Sequence, residues 1–154
     1  MATLTTTQAQ LFQVSEIEVG FRPKYRPTEK ITSSREAYDI FAQIWQDIDY
    51  CESMYIMVLN RANKVMGVKR ISEGSVSGTV ADPKKIFQIA LKANASAVII
   101  AHNHPSGNNQ PSNGDRKITE KAKGAGVILD LPLLDHLILT PENTYTSFAD
   151  EGLL

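Results

Sequence analysis

A continuous apolar segment, ASAVIIA at residues 95–101, lies in the middle of the chain and ends directly at the polar sequence HNHPSG. Its length and its position after a helical pattern predict a central strand. A second segment, YIMVL at residues 55–59, is also almost entirely apolar, which is typical of a strand buried on both faces. Two such strands need helices packed against them, so the rest of the chain has to supply a cover for the sheet.

Helical patterns supply that cover. The sequence SSRE at residues 33–36 matches a capping box, and Asp82 followed by Pro83 suits the start of a second helix. A third helix is predicted over residues 113–123, ended by Gly124 and Gly126. The core-facing stripe of the first helix is predicted to be Ala37, Ile40, Phe41, Ile44, Trp45 and Ile48.

The remaining strands are predicted over residues 65–72, 127–131 and 136–140, with Gly74 and Gly78 breaking the chain after the first of them. A short closing element follows in the tail. The resulting order, α-β-β-α-β-α-β-β, predicts an α/β (α+β) fold with a mixed central sheet flanked by helices.

Residues 1–30 are predicted to form an N-terminal arm that precedes a single domain over residues 31–154. Pro23 and Pro27 exclude a long helix, and the alternation from Val14 to Val19 permits a short strand. The basic side chains Lys24, Arg26 and Lys30 favour a solvated connector over a phosphate-binding patch.

Composition excludes several function classes. The 154 residues are 42% hydrophobic and contain a single cysteine, Cys51, which excludes an intrachain disulfide framework and indicates a reducing, cytoplasmic compartment. The net charge of -1 argues against DNA as a direct partner. The sequence contains neither an apolar stretch long enough to span a membrane nor the pattern of a signal peptide.

The candidate chemistry lies just after the central strand. His102 and His104 are two positions apart, so in an extended chain their side chains point the same way. Asp115 lies in the first turn of the third helix, where a carboxylate is favoured. Two histidines and one carboxylate form a three-ligand set that leaves a fourth tetrahedral position for water, as in catalytic zinc sites.

Simpler interpretations exist for the same residues. Ser112 and Asp115 also form a good capping box, so Asp115 could serve only as a helix cap. A His-x-His pair occurs by chance on exposed strands. His136 could orient the site, but its position in an apolar segment favours a core or strand-end histidine, and we do not count it as a ligand.

The complete motif resembles a known family. His102, Asn103, His104 and Pro105, followed by Ser112 and Asp115, match the pattern H-x-H-P…S-x-x-D of the JAMM/MPN metallopeptidase superfamily. The segments NASAVIIAHNHPSGNNQPSNGD, LLDHLIL and SFADEGLL resemble its RadC-like branch specifically. The resemblance runs from about residue 30 to the C-terminus.

That resemblance implies a three-layer JAB/MPN fold, similar to cytidine deaminase, with one zinc ion per chain bound by His102, His104 and Asp115. It also implies two catalytic residues. Glu52 matches the family's glutamate, which exchanges protons with the attacking water, although on residue pattern alone it could be an exposed acid at a strand start. Ser112 matches the serine that helps to stabilise the tetrahedral intermediate.

The implied function is a zinc-dependent metallopeptidase or isopeptidase acting on a peptide or isopeptide substrate. The alternative is a non-catalytic JAB-fold binding module associated with DNA repair or mobile-element functions. RadC proteins carry a helix-hairpin-helix domain before this region, and the 30 residues here are too short for one. We therefore expect a short form like those of prophages and mobile elements, with a link to DNA repair by family name only.

Two other enzyme classes are less consistent with the sequence. Residues 102–104 spell HNH, but HNH nucleases distribute those residues over a hairpin and a helix. A zinc nucleoside deaminase has a related fold but needs a P-C-x-x-C pair, which a chain with Cys51 as its single cysteine cannot supply.

Overall fold

The computed structural model describes residue 15, residues 17–74 and residues 82–154. Within these residues the elements follow the predicted order of helices and strands. They are helix α1 (Ser34–Ile44), strands β1 (Ser53–Leu59) and β2 (Val65–Glu73), helix α2 (Pro83–Lys92), strand β3 (Ala97–Asn103), helix α3 (Asn113–Ile128), and strands β4 (Leu133–Leu139) and β5 (Tyr145–Ser147).

The strands form one mixed sheet in the order β2-β1-β3-β4-β5. The apolar segment that ends at the histidines is β3, which occupies the centre of the sheet and is buried along its whole length. It pairs antiparallel with β1 and parallel with β4. The prediction of a mixed sheet around a buried central strand is therefore confirmed.

The helices cover both faces of this sheet, which gives three layers. Phe41 of α1 packs on one face with the odd-numbered residues of β3, such as Ile99. Ile86 of α2 and Ala122 of α3 pack on the other face with the even-numbered residues, such as Ile100. Because side chains alternate along a strand, His102 points toward the face covered by α2 and α3.

The helix starts agree with the sequence in detail. Ser33 accepts a hydrogen bond from the Glu36 N–H, while the Glu36 carboxylate accepts from the Ser33 N–H, so the predicted capping box is formed. Asp82 is the N-cap of α2 and accepts from the Lys84 N–H at 2.9 Å, with Pro83 in the first turn. These caps satisfy N–H groups that have no partner inside the helix.

The prediction was wrong between α3 and β4. The helix passes through Gly124 and Gly126 and ends at Ile128, so residues 127–131 do not form a strand. Gly126 is small for a packing reason, because an added Cβ would lie 2.4 Å from the Leu131 backbone oxygen. The chain turns instead at Asp130, which has a φ of 53°. The last two strands are therefore β4 and β5, and the tail supplies β5.

The arm approaches the sheet next to the β1–β2 turn. The Glu29 carbonyl accepts a hydrogen bond from the Val65 N–H at 2.8 Å, and Lys30 forms an isolated bridge with Lys64. Of the short strand suggested from Val14 to Val19, residues 17–19 have no regular secondary structure, while residues 14 and 16 lie outside the described residues, as does Gly78.

None of the helices that the structure describes has the length and apolar character needed to cross a bilayer.

Candidate metal centre

The two candidate histidines lie where β3 ends. His102 is the next-to-last residue of the strand, and His104 is the first residue beyond it. The extended backbone directs both rings to the same side, and their Nε2 atoms are 2.9 Å apart. His102 is almost fully buried, with an exposed side-chain fraction of 4%, whereas that of His104 is 12%.

Asp115 meets both rings from the start of α3. Its Oδ1 lies 3.0 Å from the His102 Nε2, and its Oδ2 lies 3.4 Å from the His104 Nε2. The same carboxylate accepts a hydrogen bond from the Ser112 N–H at 2.7 Å, and the Ser112 Oγ accepts from the Asp115 N–H at 3.1 Å. Asp115 therefore closes a capping box and also faces the histidines, so the two interpretations of this residue are compatible.

These three side chains form a group that could hold a metal ion, with one donor atom from each and all three within 4.8 Å of one another. The His104 Nδ1 lies 2.6 Å from the Asn108 carbonyl oxygen. A carbonyl only accepts, so this nitrogen carries a hydrogen and the Nε2 of the neutral ring keeps its lone pair. That lone pair and the Asp115 carboxylate point at the same space.

Electrostatics favours a cation in that space. Burial acts to raise the pKa of the Asp115 carboxyl, but its contacts with His102 and His104 outweigh burial and keep that pKa far below its usual range. Burial acts to lower the pKa of His104, yet contacts with Asp115 and the Asn108 carbonyl, together with the charges of Asp115 and Glu52, raise it overall. The carboxylate is therefore ionised, and a proton or a metal ion is attracted to its side of the rings.

Glu52 lies immediately before β1, on the segment next to the site. Met54, two residues on, pairs with His102 across the β1–β3 ladder. The Glu52 side chain is half-buried, and its charge contributes to the raised pKa of His104. This position fits the role implied for Glu52 by the family resemblance, which stays a prediction.

Asn103, between the two histidines, holds the segment that carries Glu52. Its side chain points to the opposite face, where its Oδ1 accepts from the Ser53 N–H at 2.7 Å. Its amide group donates to the carbonyls of Ile48 at 2.7 Å and Cys51 at 2.9 Å. Sequence reasoning assigned Asn103 no role, although a polar residue at the end of a buried strand requires hydrogen-bond partners.

Two further residues hold the His102 ring on the side away from the candidate metal site: His136, for which the sequence left an orienting role open, and Thr119, which the sequence did not single out. The His136 Nε2 lies 2.8 Å from the His102 Nδ1, and the His136 Nδ1 lies 2.6 Å from the Thr119 hydroxyl. Complete burial and the neighbouring His102 lower the pKa of His136 well below its usual value, so its ring is neutral. His136 is thus a core histidine, as we expected, and it also contacts a candidate ligand.

A sequence signal existed for His136 but not for Thr119. His136 interrupts an apolar strand, and a buried imidazole needs partners for both nitrogens. On the parallel β3–β4 pair it lies opposite Ile100, one position along the same face from His102. Thr119 is an ordinary helix residue in the sequence, and only the packing of α3 on the sheet brings its hydroxyl to the ring.

Comparisons with known proteins identify relatives over most of the chain. The family model described as RadC-like JAB domain matches residues 31–153. The UPF0758 protein of Flavobacterium johnsoniae is 41% identical over 143 residues, which are 91% of this chain and 62% of that protein. The UPF0758 protein of Porphyromonas gingivalis is 42% identical over 126 residues, 82% of this chain and 55% of that protein. The chain thus spans less than two thirds of the length of these curated relatives, whose names state no activity.

Proposed function

This chain belongs to the RadC-like JAB domain family, and we propose that it is a zinc-dependent metallopeptidase or isopeptidase that hydrolyses an amide bond. The observation that carries the proposal is the convergence of one lone-pair nitrogen from His104, one ring nitrogen from His102 and the ionised Asp115 carboxylate on a single point. Such a set, with two histidines and one carboxylate, is the ligand chemistry of catalytic zinc sites.

The distances between the donor atoms support zinc. Ligand atoms at about 2.0–2.1 Å from a tetrahedral ion are separated by about 3.3 Å. Here the Nε2 atoms of His102 and His104 are 2.9 Å apart, the His102 Nε2 lies 3.0 Å from the Asp115 Oδ1, and the His104 Nε2 lies 3.4 Å from the Asp115 Oδ2. Two ring nitrogens and one carboxylate group, which repel one another when each presents a lone pair or a negative charge, therefore lie at nearly the spacing of ligands that share one cation.

In this mechanism the chain's own residues handle the proton and the developing charge. Zinc, when bound, supplies Lewis acidity and lowers the pKa of a coordinated water to about 7. Glu52 accepts a proton from the attacking water and passes it to the leaving amine. The Ser112 hydroxyl oxygen accepts a hydrogen bond from the Asp115 N–H. Its own hydrogen can therefore be donated to the developing oxyanion.

The experiment is a screen of peptide and isopeptide libraries with and without a metal chelator. We expect cleavage by the zinc-loaded protein and none after chelation. Glu52→Gln keeps the size and the hydrogen-bonding capacity of the side chain but cannot take up the proton. It should retain zinc while turnover falls by ~10²–10⁴-fold.

His104→Ala is the matched comparison, because it removes a ligand and should lose zinc and turnover together. Full turnover by Glu52→Gln would contradict the role given to that residue. Zinc binding without cleavage of any library member would favour the non-catalytic binding module instead.

A further inference from the structure

A neutral histidine can bind a metal only through the ring nitrogen that lacks a hydrogen. The nitrogen of His102 that faces His104 and Asp115 is Nε2, so a ligand role requires its hydrogen to be on Nδ1. The ring itself has no strong preference between the two nitrogens. What decides is the partner of the other nitrogen, which here is His136.

The hydrogens behind His102 can be assigned from the partners alone, starting at α3. The Thr119 hydroxyl lies 2.6 Å from the backbone carbonyl oxygen of Asp115, which can only accept. A hydroxyl has one hydrogen, and this contact uses it. The Thr119 oxygen must therefore accept at its second contact, the His136 Nδ1 at 2.6 Å, so that nitrogen carries a hydrogen.

The assignment continues to the candidate ligand. His136 is fully buried, and its ring nitrogens contact His102 and Thr119 and no carboxylate of the described residues, so the ring is neutral. With its hydrogen on Nδ1 it has a bare Nε2, which accepts a hydrogen from the His102 Nδ1 at 2.8 Å. When the His102 ring is neutral, its Nε2 then keeps its lone pair toward the metal site. We propose that Thr119 and His136 are positioning residues that hold His102 in its metal-binding tautomer. The metal in this statement rests on the proposed function, whereas the hydrogen assignment does not.

Burial makes this arrangement depend on these particular side chains. Thr119 is 2% exposed, His136 is fully buried and His102 is 3% exposed, so solvent has little access to any of the three contacts. The His136 ring is also stacked on Phe148, with ring centroids 4.7 Å apart and an interplanar angle of 17°. This stacking fixes the orientation of the His136 ring. The chain of hydrogen bonds thus runs from the backbone carbonyl of Asp115 through Thr119 and His136 to the ring of His102.

The first test is nitrogen-15 NMR of the histidine rings in the zinc-free wild-type protein. The chain contains three histidines, so three ring spectra need to be assigned. We expect His136 to carry its hydrogen on Nδ1 with a bare Nε2, and His102 to carry a hydrogen on Nδ1. A hydrogen on the Nε2 of His136 would mean that His136 donates to the His102 Nδ1 and does not accept from it, and this result would overturn the proposal.

The second test compares Thr119→Val with Thr119→Ser by zinc competition against a chromophoric chelator. Valine has the shape of threonine but cannot accept the hydrogen of His136, so the tautomers of His136 and His102 are no longer fixed. We expect Thr119→Val to weaken zinc binding about 10- to 100-fold, the usual effect of losing a partner of a metal ligand. Serine keeps the hydroxyl and should restore most of the affinity.

The outcomes separate the two proposals. Wild-type affinity in Thr119→Val would overturn the positioning role while leaving the zinc site intact. If the wild-type protein took up no zinc, the proposed function would fail, and the ring spectra of the zinc-free protein would still decide the hydrogen assignment. A merely structural role for Thr119 would change stability without changing the tautomer of His102 or His136, and the spectra of the variant distinguish that case.

Discussion

His102 and His104 are two residues apart and face the same point, yet the protein holds them by different means. His102 is enclosed in the core, and its Nδ1 contacts a side chain from β4, His136. His104 lies beyond the strand and is more exposed, and its Nδ1 donates to the backbone carbonyl of Asn108, four residues further along its own loop. One ring depends on distant side chains, and the other depends on the path of the local backbone.

The difference shows which changes can disturb each ring. The side-chain hydrogen bonds that hold His102 can be lost by one substitution at a residue far away in the sequence, such as Thr119. The hydrogen bond from His104 to the Asn108 carbonyl persists with any side chain at position 108 that leaves the loop in place. It depends instead on the backbone angles of that loop. A search for residues that affect the site should therefore look for side chains behind His102 and for turn residues around His104.

The largest expected effect comes from removing either ring. His102→Ala and His104→Ala should each abolish tight zinc binding, because each removes a ligand. In the zinc-free state they should differ. His102→Ala also leaves the buried His136 without its partner, which should cost about 1–3 kcal/mol in addition to the lost packing, whereas His104→Ala leaves its Asn108 partner near solvent. Urea unfolding of both zinc-free variants measures the difference in unfolding free energy. Equal losses of stability would mean that the buried contact of His102 and the exposed contact of His104 do not differ as described.

A smaller effect is expected from the turn that carries His104. The Gly107 N–H donates to the His104 carbonyl at 3.0 Å, and Gly107 has a φ of +83°. An alanine there meets a conformational penalty of about 1–2 kcal/mol, and its Cβ would lie 2.7 Å from the Glu142 Oε1. Gly107→Ala should weaken zinc binding through His104 while the ring signals of His102 and His136 stay unchanged.

Gly107→Asn is the control for that turn, because asparagine adopts positive φ more readily than alanine. It should bind zinc more tightly than Gly107→Ala. A shift of the His136 signals in Gly107→Ala would instead show that the contacts that hold His102 and those that hold His104 are coupled.

The smallest effect concerns the strand that carries His136. Asp135 accepts hydrogen bonds from the Ser147 hydroxyl at 2.6 Å and the Ala149 N–H at 3.0 Å, yet burial raises the pKa of its carboxyl. The folded protein therefore binds this proton more tightly than the unfolded chain. The stability that results is fully present below the ordinary pKa of about 3.9 and is lost as pH rises through the raised value.

Asp135→Asn cannot titrate and should lack this contribution to the pH profile. We expect the difference in unfolding free energy between the zinc-free wild type and Asp135→Asn to decrease as pH rises through that window. Chemical denaturation over a series of pH values measures it. A difference that increases with pH would mean that the hydrogen bonds to Asp135 outweigh its burial.

The sequence predicted the elements whose signals are local. The capping boxes at Ser33 and Ser112, the buried strand before the histidines and the shared direction of His102 and His104 all follow from neighbouring residues. Gly126 shows where local signals fail, because a glycine at this place predicts a helix end, whereas Gly126 lies inside α3 and is small so that the Leu131 backbone can approach the helix.

The supports of the site were harder to predict for a related reason. Thr119 and His136 are 17 residues apart and meet only because α3 packs across β4. The Asn108 carbonyl is a backbone group that any residue would provide. The family motif identified the candidate ligands, but no pattern in a single sequence specifies which groups form hydrogen bonds with the Nδ1 atoms of the two histidines.

Zinc titration of chelator-stripped wild-type protein, followed by elemental analysis, tests the proposed zinc site directly, with His104→Ala and Asp115→Asn as matched variants. We expect about one zinc per wild-type chain and loss of tight binding in both variants. Absence of zinc uptake by the wild type, or uptake that neither substitution reduces, would contradict the claim that His102, His104 and Asp115 form a zinc site.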